Sequence, residues 1–446
     1  MASFEEYEKL ASDKGMYLVD HQNIEPLIEE FYDSLEEADK LCEVIDPEDT
    51  PFKSKYEARE ILDKLANKFE ATKTILNLEG KFDIISKEIE WRYCSVRVRI
   101  GNISYDVEEP HNCQTELEYA FSYFLPQFLE KINDVTIEFQ GSNCVNIDND
   151  IASLPNVASI SIGENSIADA LKCTSMLGIL WAGRDQIKKS FLYLLTAKNL
   201  YNHWIQIIKD SKKRVKLENL YTHNLFYLAQ AYGHIGKPQE SCKYCHETLN
   251  RQLIAGVDGK AALEWVKNAM GIADFHMVMN KFKTAAHALG AAEYILYNKV
   301  INNKNKNELQ DVSEILGDLH RRWLRLDVNI YKDSIEKLNA LTLHDLSLDK
   351  LSISQTGKCD IQDINYKFTG LDIPSISFVK DFDDDCNDSN SNSKIIFPVI
   401  QSSQDAVEVF KRSYARADEA KKIFLLDGHI YYIVYISYKF SLLFTV

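Results

Sequence analysis

The stretch LGILWAGRDQIKKSFLYLLTA, Leu177 to Ala197, decides the fold. Its large-small pair Leu177-Gly178, the aromatic Trp181, and then Ile187, Ser190, Leu194 and Ala197 fall at the offsets that interlock two short helices in a tetratricopeptide unit. The reason is steric: helices that cross closely need small side chains where their backbones meet and large ones in the grooves beside them. The pattern returns downstream. Leu225, Leu228-Ala229, Tyr232, Gly236, Ser241, Cys245 and Thr248 repeat it, and so do Ala269, Ile272-Ala273, His276, Phe282, Ala285, Leu289 and Ala292. Three agreeing registers predict an all-α, right-handed, tetratricopeptide-like α-solenoid of helix pairs.

The repeats start about 51 and 44 residues apart instead of the usual 34. The excess predicts long inter-repeat loops, at Asp210 to Asn219 with its SKKRVK run and at Leu253 to Lys260 with AGVDGK. Loops of this kind line one edge of a solenoid and often carry contacts.

Upstream, Ser3 to about Ala71 reads as helices, and Pro51 to Glu70 brings Tyr56, Ile61, Leu62 and Leu65 close to one helical face. Glu88 to Ile132 continues the helical text, and Val135 to Asn165 turns irregular. Downstream, Asp311 to Leu341 is helical, Thr342 to Lys394 is linker ending in the disorder-type run KDFDDDCNDSNSNSK, and helical patterning resumes at Ser403. The organisation expected is therefore 1–134 helical repeats, 135–166 insertion, 167–341 repeat core, 342–402 linker and 403–446 a C-terminal helical segment. The final run from Ile430 is apolar on every face, but at 17 residues with Lys439 inside it is short for a membrane span.

With 67 acidic against 51 basic residues the net charge is −16, which disfavours nucleic acid and anionic lipid and favours a basic protein surface. Nine Pro and 17 Gly leave few turn-formers for a β protein, and nine cysteines without a disulfide-like spacing suit a reducing, cytoplasmic setting. Met1 to Leu10 is acidic and polar, unlike a signal peptide.

Chemical motifs are few. Cys242-Lys-Tyr-Cys245-His246 matches a haem-attachment spacing, yet it sits on the second helix of a repeat and reads as packing. His111 with Cys113, and His276 with His287, lack a second pair at metal-ligand spacing. No phosphate loop or nucleophile elbow is present, so no cofactor, no metal and no catalysis are expected. The polar-aromatic face of Tyr221 to Gln230 stands out instead. Leu225, Leu228, Ala229 and Tyr232 take the packed side, leaving His223, Asn224, Tyr227 and Gln230 for a partner or for contacts between adjacent repeats.

YTHNLFYLAQAY (Tyr221 to Tyr232), YCHETLNRQL (Tyr244 to Leu253) and ALEWVKNA (Ala262 to Ala269) resemble the kinesin-family binding protein family, as do LGILW, FKSKYEAR (Phe52 to Arg59) and EAKKIFLLDGH (Glu419 to His429). The resemblance implies a cytoplasmic, cytoskeleton-associated solenoid that clasps kinesin motor domains in a concave groove and blocks their microtubule attachment. Roles in microtubule organisation, axon outgrowth and neural development are implied with it. It carries partner contact to Tyr227, Gln230 and Gln252; His223 and Asn224 extend the same face by helical geometry. It also implies a longer C-terminal half beyond Gly428 than this chain carries, so the chain reads as truncated. An acidic groove would compete for the basic track-binding face of a motor. The alternative is a scaffold that captures a peptide tail, such as a chaperone terminus. A carboxylate clamp for that tail has only Lys172, Lys267, His223 and Asn224 to draw on.

Overall fold

The computed structural model describes residues 24–78, 84–133, 148–160, 162–301, 309–344, 368 and 403–423. Among them every regular element is a helix. In chain order these are α1 (Ile24–Cys42), α2 (Lys53–Leu78), α3 (Ile84–Asp106), α4 (Pro110–Phe124), α5 (Pro126–Asn133), α6 (Asp148–Ser153), α7 (Ile167–Gly183), α8 (Ile187–Trp204), α9 (Ser211–His234), α10 (Pro238–Ala255), α11 (Gly259–Val278), α12 (Phe282–Ile295), α13 (Leu309–His344) and α14 (Ser403–Ile423). Internal contacts divide the chain into two compact units, Met1–Ser241 and Cys242–Val446.

In the first unit α1 packs on α2, α3 on α4 and α7 on α8, with α9 closing against α7 and α8. The joint of α7 and α8 is the one read from the sequence. A methyl group on Gly178 would lie 2.7 Å from Leu194 Cγ and 3.2 Å from the Ser190 carbonyl, and Leu177, Ser190, Leu194 and Ala197 are all fully buried. The same joint recurs between α3 and α4, where a methyl on Gly101 would lie 2.8 Å from Leu117 Cγ. Leu117 stands sixteen residues after Gly101, as Leu194 does after Gly178. Cys113 and Ala120 take the small positions and are equally buried.

The first helices α1, α3, α7 and α9 also touch in succession, so they form a row of their own. At one end of the row Phe31 of α1 meets Phe69 of α2 and Trp91 of α3 edge-on, with centroids 5.9 and 5.7 Å apart. Of the residues expected on one face of α2, Leu62 and Leu65 are buried. Tyr56 is 41% exposed and lies under the Arg59 guanidinium, 5.0 Å from its ring centre.

In the second unit α11 packs on α12 and α13 on α14. Residues 242–255 of α10 join the α11 core, where the buried Trp265 donates its indole N–H to the Leu249 carbonyl at 3.0 Å. Trp323 of α13, also fully buried, donates to Glu293 of α12 at 3.0 Å. The partner of α13 comes from far along the chain. Asp327, with no exposed surface, accepts hydrogen bonds from the Arg412 guanidinium and, at 3.1 Å, from the Ser413 hydroxyl, both on α14. Arg416 covers Trp323 at 4.3 Å. Both units are thus all-α stacks of tetratricopeptide-like pairs, the architecture of an α-solenoid.

The expected inter-repeat loops are corrected. Asp210 caps α9 by accepting from the Lys213 backbone N–H at 2.9 Å, so the SKKRVK run forms the first turns of a 24-residue helix. Lysine and arginine are good helix formers, and a capped start makes the charge run helical rather than irregular. At the second site α10 extends to Ala255 and α11 begins at Gly259, so the connection is only 256–258; Gly256 and Gly259 take positive φ of 94° and 56° there. The expected insertion contributes α6 and a 3-10 turn at Val157–Ser159. Residues 135–147 of that insertion, the acidic linker run and the apolar end from Ile430 lie outside the described residues, as do residues 1–23.

Candidate partner-binding face

On α9, residues 223, 227 and 230 share one stripe, four and then three positions apart. His223 and Gln230 are exposed and Tyr227 is half-buried, its ring edge-on to His223 at 5.1 Å and to Phe226 at 5.2 Å. Asn224 is a correction. One position round the helix, it falls on the core stripe with Tyr221 and Leu228 and has no exposed surface. Its amide donates to the Leu194 carbonyl at 3.1 Å and its oxygen accepts from the Ser175 hydroxyl at 3.1 Å. Asn224 ties α9 to α7 and α8 and is closed to a partner.

The stripe belongs to the row of first helices. Burial pushes the Tyr105 phenol of α3 up, and neighbouring Tyr227 adds to it. Although His223 keeps exposed surface, the protein packed around its imidazole desolvates it and pulls it below its ordinary value, with Lys172 of α7 acting in the same direction. The stripe therefore presents a neutral imidazole, a phenol and a carboxamide at neutral pH, a set that hydrogen-bonds without a desolvated charge.

Further along the row lies a cavity of about 480 Å³. Its apolar wall is Phe31, Tyr32 and Leu35 of α1 with Trp91 of α3. Its polar wall holds a hydrogen-bonded network. Asp169 of α7, 7% exposed, accepts from the Ser95 hydroxyl at 2.6 Å. Arg99 of α3 reaches Asp169 at 3.4 Å and Asp39 at 3.5 Å. At the rim Lys213 bridges Glu164 and Asn165. The cavity carries both signs, so the net acidity of the chain is not concentrated on this face.

Gln252, the remaining expected contact, lies in the second unit on α10, half-buried beside the Arg251–Glu247 pair. In the same unit Cys242 Sγ is 3.6 Å from His276 Nε2. Burial pushes Cys242 up to about 12 and His276 down to about 4, so neither carries charge at neutral pH. A thiol without thiolate character is neither a nucleophile nor a ready metal ligand. Among the described residues no group of three or more His, Cys, Asp or Glu could hold a metal ion, and no helix is long and apolar enough to cross a membrane.

The Ser95–Arg99–Asp169 network and the aromatic wall carry no local sequence signal, since Arg99 and Asp169 are 70 residues apart. The Gly101–Leu117 joint could have been found, because it repeats the spacing of Gly178 and Leu194.

A family model described as KIF-1 binding protein C terminal matches residues 263–446. The KIF-binding protein of Gallus gallus is 24% identical over 425 residues, covering 90% of this chain and 63% of that protein. The chain is similar to the KIF-binding proteins. That of Danio rerio is 26% identical over 300 residues, covering 61% of this chain and 46% of its own length. The Homo sapiens relative is 24% identical over 331 residues, covering 69% and 51%. The chain thus spans less than two thirds of the length of these relatives. Two solved structures are also similar. One described as kinesin binding protein has a TM-score of 0.44 at 18% identity, over 96% of this chain and 69% of its own. The other, a cryo-EM structure of a KIFBP core, has a TM-score of 0.42 at 22% identity, over 71% and 98%.

Proposed function

We propose that this chain is a non-enzymatic adaptor that grips a kinesin motor domain, and that the first helices of its first unit supply part of the grip. The observation that carries the reading is the His223–Tyr227–Gln230 stripe. It places an aromatic anchor and two hydrogen-bonding groups on a surface that the core does not use. Relatives named for KIF binding, aligned over as much as 90% of the chain, support the choice of partner.

An aromatic ring held edge-on by a neighbour loses little freedom on binding, which is why such residues serve as anchors. Gln252 contributes from the second unit. Occupation of the motor blocks its attachment to microtubules, and from that come roles in microtubule organisation and axon outgrowth at a cytoplasmic, cytoskeleton-associated location.

The test is affinity for isolated kinesin motor domains, wild type beside Tyr227→Ala, Gln230→Ala and Gln252→Ala, with microtubule co-sedimentation of the same mixtures. Each truncation of a true anchor weakens binding by about 1–2 kcal/mol, and bound motor leaves the microtubule pellet. Equal affinity of all three variants places the grip elsewhere, and motor that stays on microtubules while bound removes the blocking role.

A further inference from the structure

In a chain of net charge −16, a half-buried ammonium without a counter-ion is unexpected, since carboxylates outnumber cations over the chain as a whole. Lys172 is such a group. It stands on α7 one turn beyond Ala168 and Asp169, which line the cavity of the first unit. The nearby cation Arg99 is committed to Asp169 and Asp39. Lys172 makes neither an ion pair nor a hydrogen bond, and the same holds for Lys216 of α9 on the cavity wall.

Lys172 and Lys216 lie within electrostatic reach of each other. Cys42, at the end of α1, lies within electrostatic reach of both Asp106 of α3 and Lys172. Burial pulls Lys172 below its ordinary value, with Arg99 and Lys216 acting the same way and Asp39 and Asp169 against it. A desolvated cation without a counter-ion is costly, and such a group persists where a ligand completes it.

We infer that Lys172 and Lys216 receive a side-chain carboxylate of the partner, while the apolar residue beside that carboxylate packs into the cavity against the wall that Tyr32, Leu35 and Trp91 form. Charge decides the occupant. The other cations of the cavity wall, Arg99, Lys213 and Lys40, already hold carboxylates of this chain, so the two free ammoniums are the places an incoming acid can pair. The inference rests on the reading of this face as the partner surface and names the chemistry that it selects.

The experiment uses the full chain and a fluorescent peptide, capped at both ends, in which one phenylalanine precedes two glutamates. Its glutamine twin and an uncapped version ending in the same residues complete the set. The glutamate peptide binds at least tenfold more tightly than the glutamine twin, and Lys172→Met with Lys216→Ser abolishes the difference. The melting temperature of that variant does not fall, because an unpaired, desolvated charge has been removed, and this separates a binding role from a structural one. Equal binding of the two capped peptides, or an unchanged preference in the variant, overturns the inference. A strong preference for the uncapped peptide overturns it as well, because the occupant is then a chain terminus.

A kinesin motor domain is run beside the peptides. Motor bound equally by wild type and variant refutes the carboxylate site and leaves the motor reading standing. Motor that does not bind wild type, alongside a retained glutamate preference, refutes the motor reading and leaves the site.

Discussion

Replacing Gly178 and Gly271 by alanine in separate variants makes the same chemical change in two first helices and should move stability in opposite directions. At Gly178 the new methyl would sit 2.7 and 2.8 Å from Leu194 Cγ and Cδ2 and 3.2 Å from the Ser190 carbonyl. Carbon atoms in contact prefer about 3.5–4 Å, so α7 and α8 must separate by several tenths of an ångström. Leu194 has no exposed surface into which it could retreat. Overpacking of this kind costs about 1–3 kcal/mol. Alanine's helical preference over glycine returns about 1 kcal/mol, which leaves a net loss of about 1 kcal/mol. At Gly271, in the interior of α11, the methyl meets nothing within 4 Å, so the helical gain of about 1 kcal/mol stands alone. Because the chain has two units, a single global melt mixes their responses. Native-state hydrogen exchange resolves them, with α7 and α8 amides reporting on Gly178→Ala and α11 and α12 amides on Gly271→Ala. Equal shifts of the same sign would refute the close crossing as the reason for glycine at 178.

Three further outcomes concern buried groups. Asp327→Ala leaves the Arg412 guanidinium without its buried carboxylate and should cost about 3–5 kcal/mol, read as proteolysis within α14 before the rest of the second unit; cleavage no faster than wild type would count against it. Asn224→Ala should lower the melting temperature by removing two buried hydrogen bonds, about 1–3 kcal/mol together, whereas Tyr227→Ala should leave it unchanged. Burial holds His276 and His320 at about 4 against 6.5 in the unfolded chain. The unfolded state therefore binds more protons between those values, and stability that is full above pH 6.5 is lost as pH falls toward 4. Each histidine contributes up to about 1.4 kcal/mol per pH unit, so His276→Gln should flatten the slope of melting temperature against pH across that window.

The helix pairs of 167–298 are legible in the sequence because their joints are made of near neighbours, with Gly178 and Leu194 one pair-length apart. The equivalent pair of α3 and α4 is obscured by charge. Arg97 lies over Tyr93 and Tyr119 at 5.4 and 4.7 Å, and Lys73 over the same rings at 5.5 and 5.3 Å. Cations that cover aromatic rings on a half-buried face break the recurrence of apolar residues every three to four positions that marks a helix. The SKKRVK run misleads for a related reason: a solvated first turn looks like a loop when only hydrophobic periodicity is read. On the partner face, three residues of the stripe emerge from helical spacing alone. Asn224 does not, because its hydrogen-bond partners stand 49 and 30 residues upstream, and neither does the Arg99–Asp169 wall.

The joining of α13 to α14 across the stretch from His344 to Ser403 bears on the order in which the molecule assembles. Pairs such as α7 and α8, linked by three residues, close almost as soon as their helices form. Closing a span on the order of sixty residues is dearer by about 3 kcal/mol in chain entropy, and that cost falls before the Asp327–Arg412 contact exists to offset it. The last pair is therefore a late event in folding and an early one in unfolding. A nascent chain exposes the Trp323 face of α13 until α14 has been synthesised, and that interval is when chaperones are most needed.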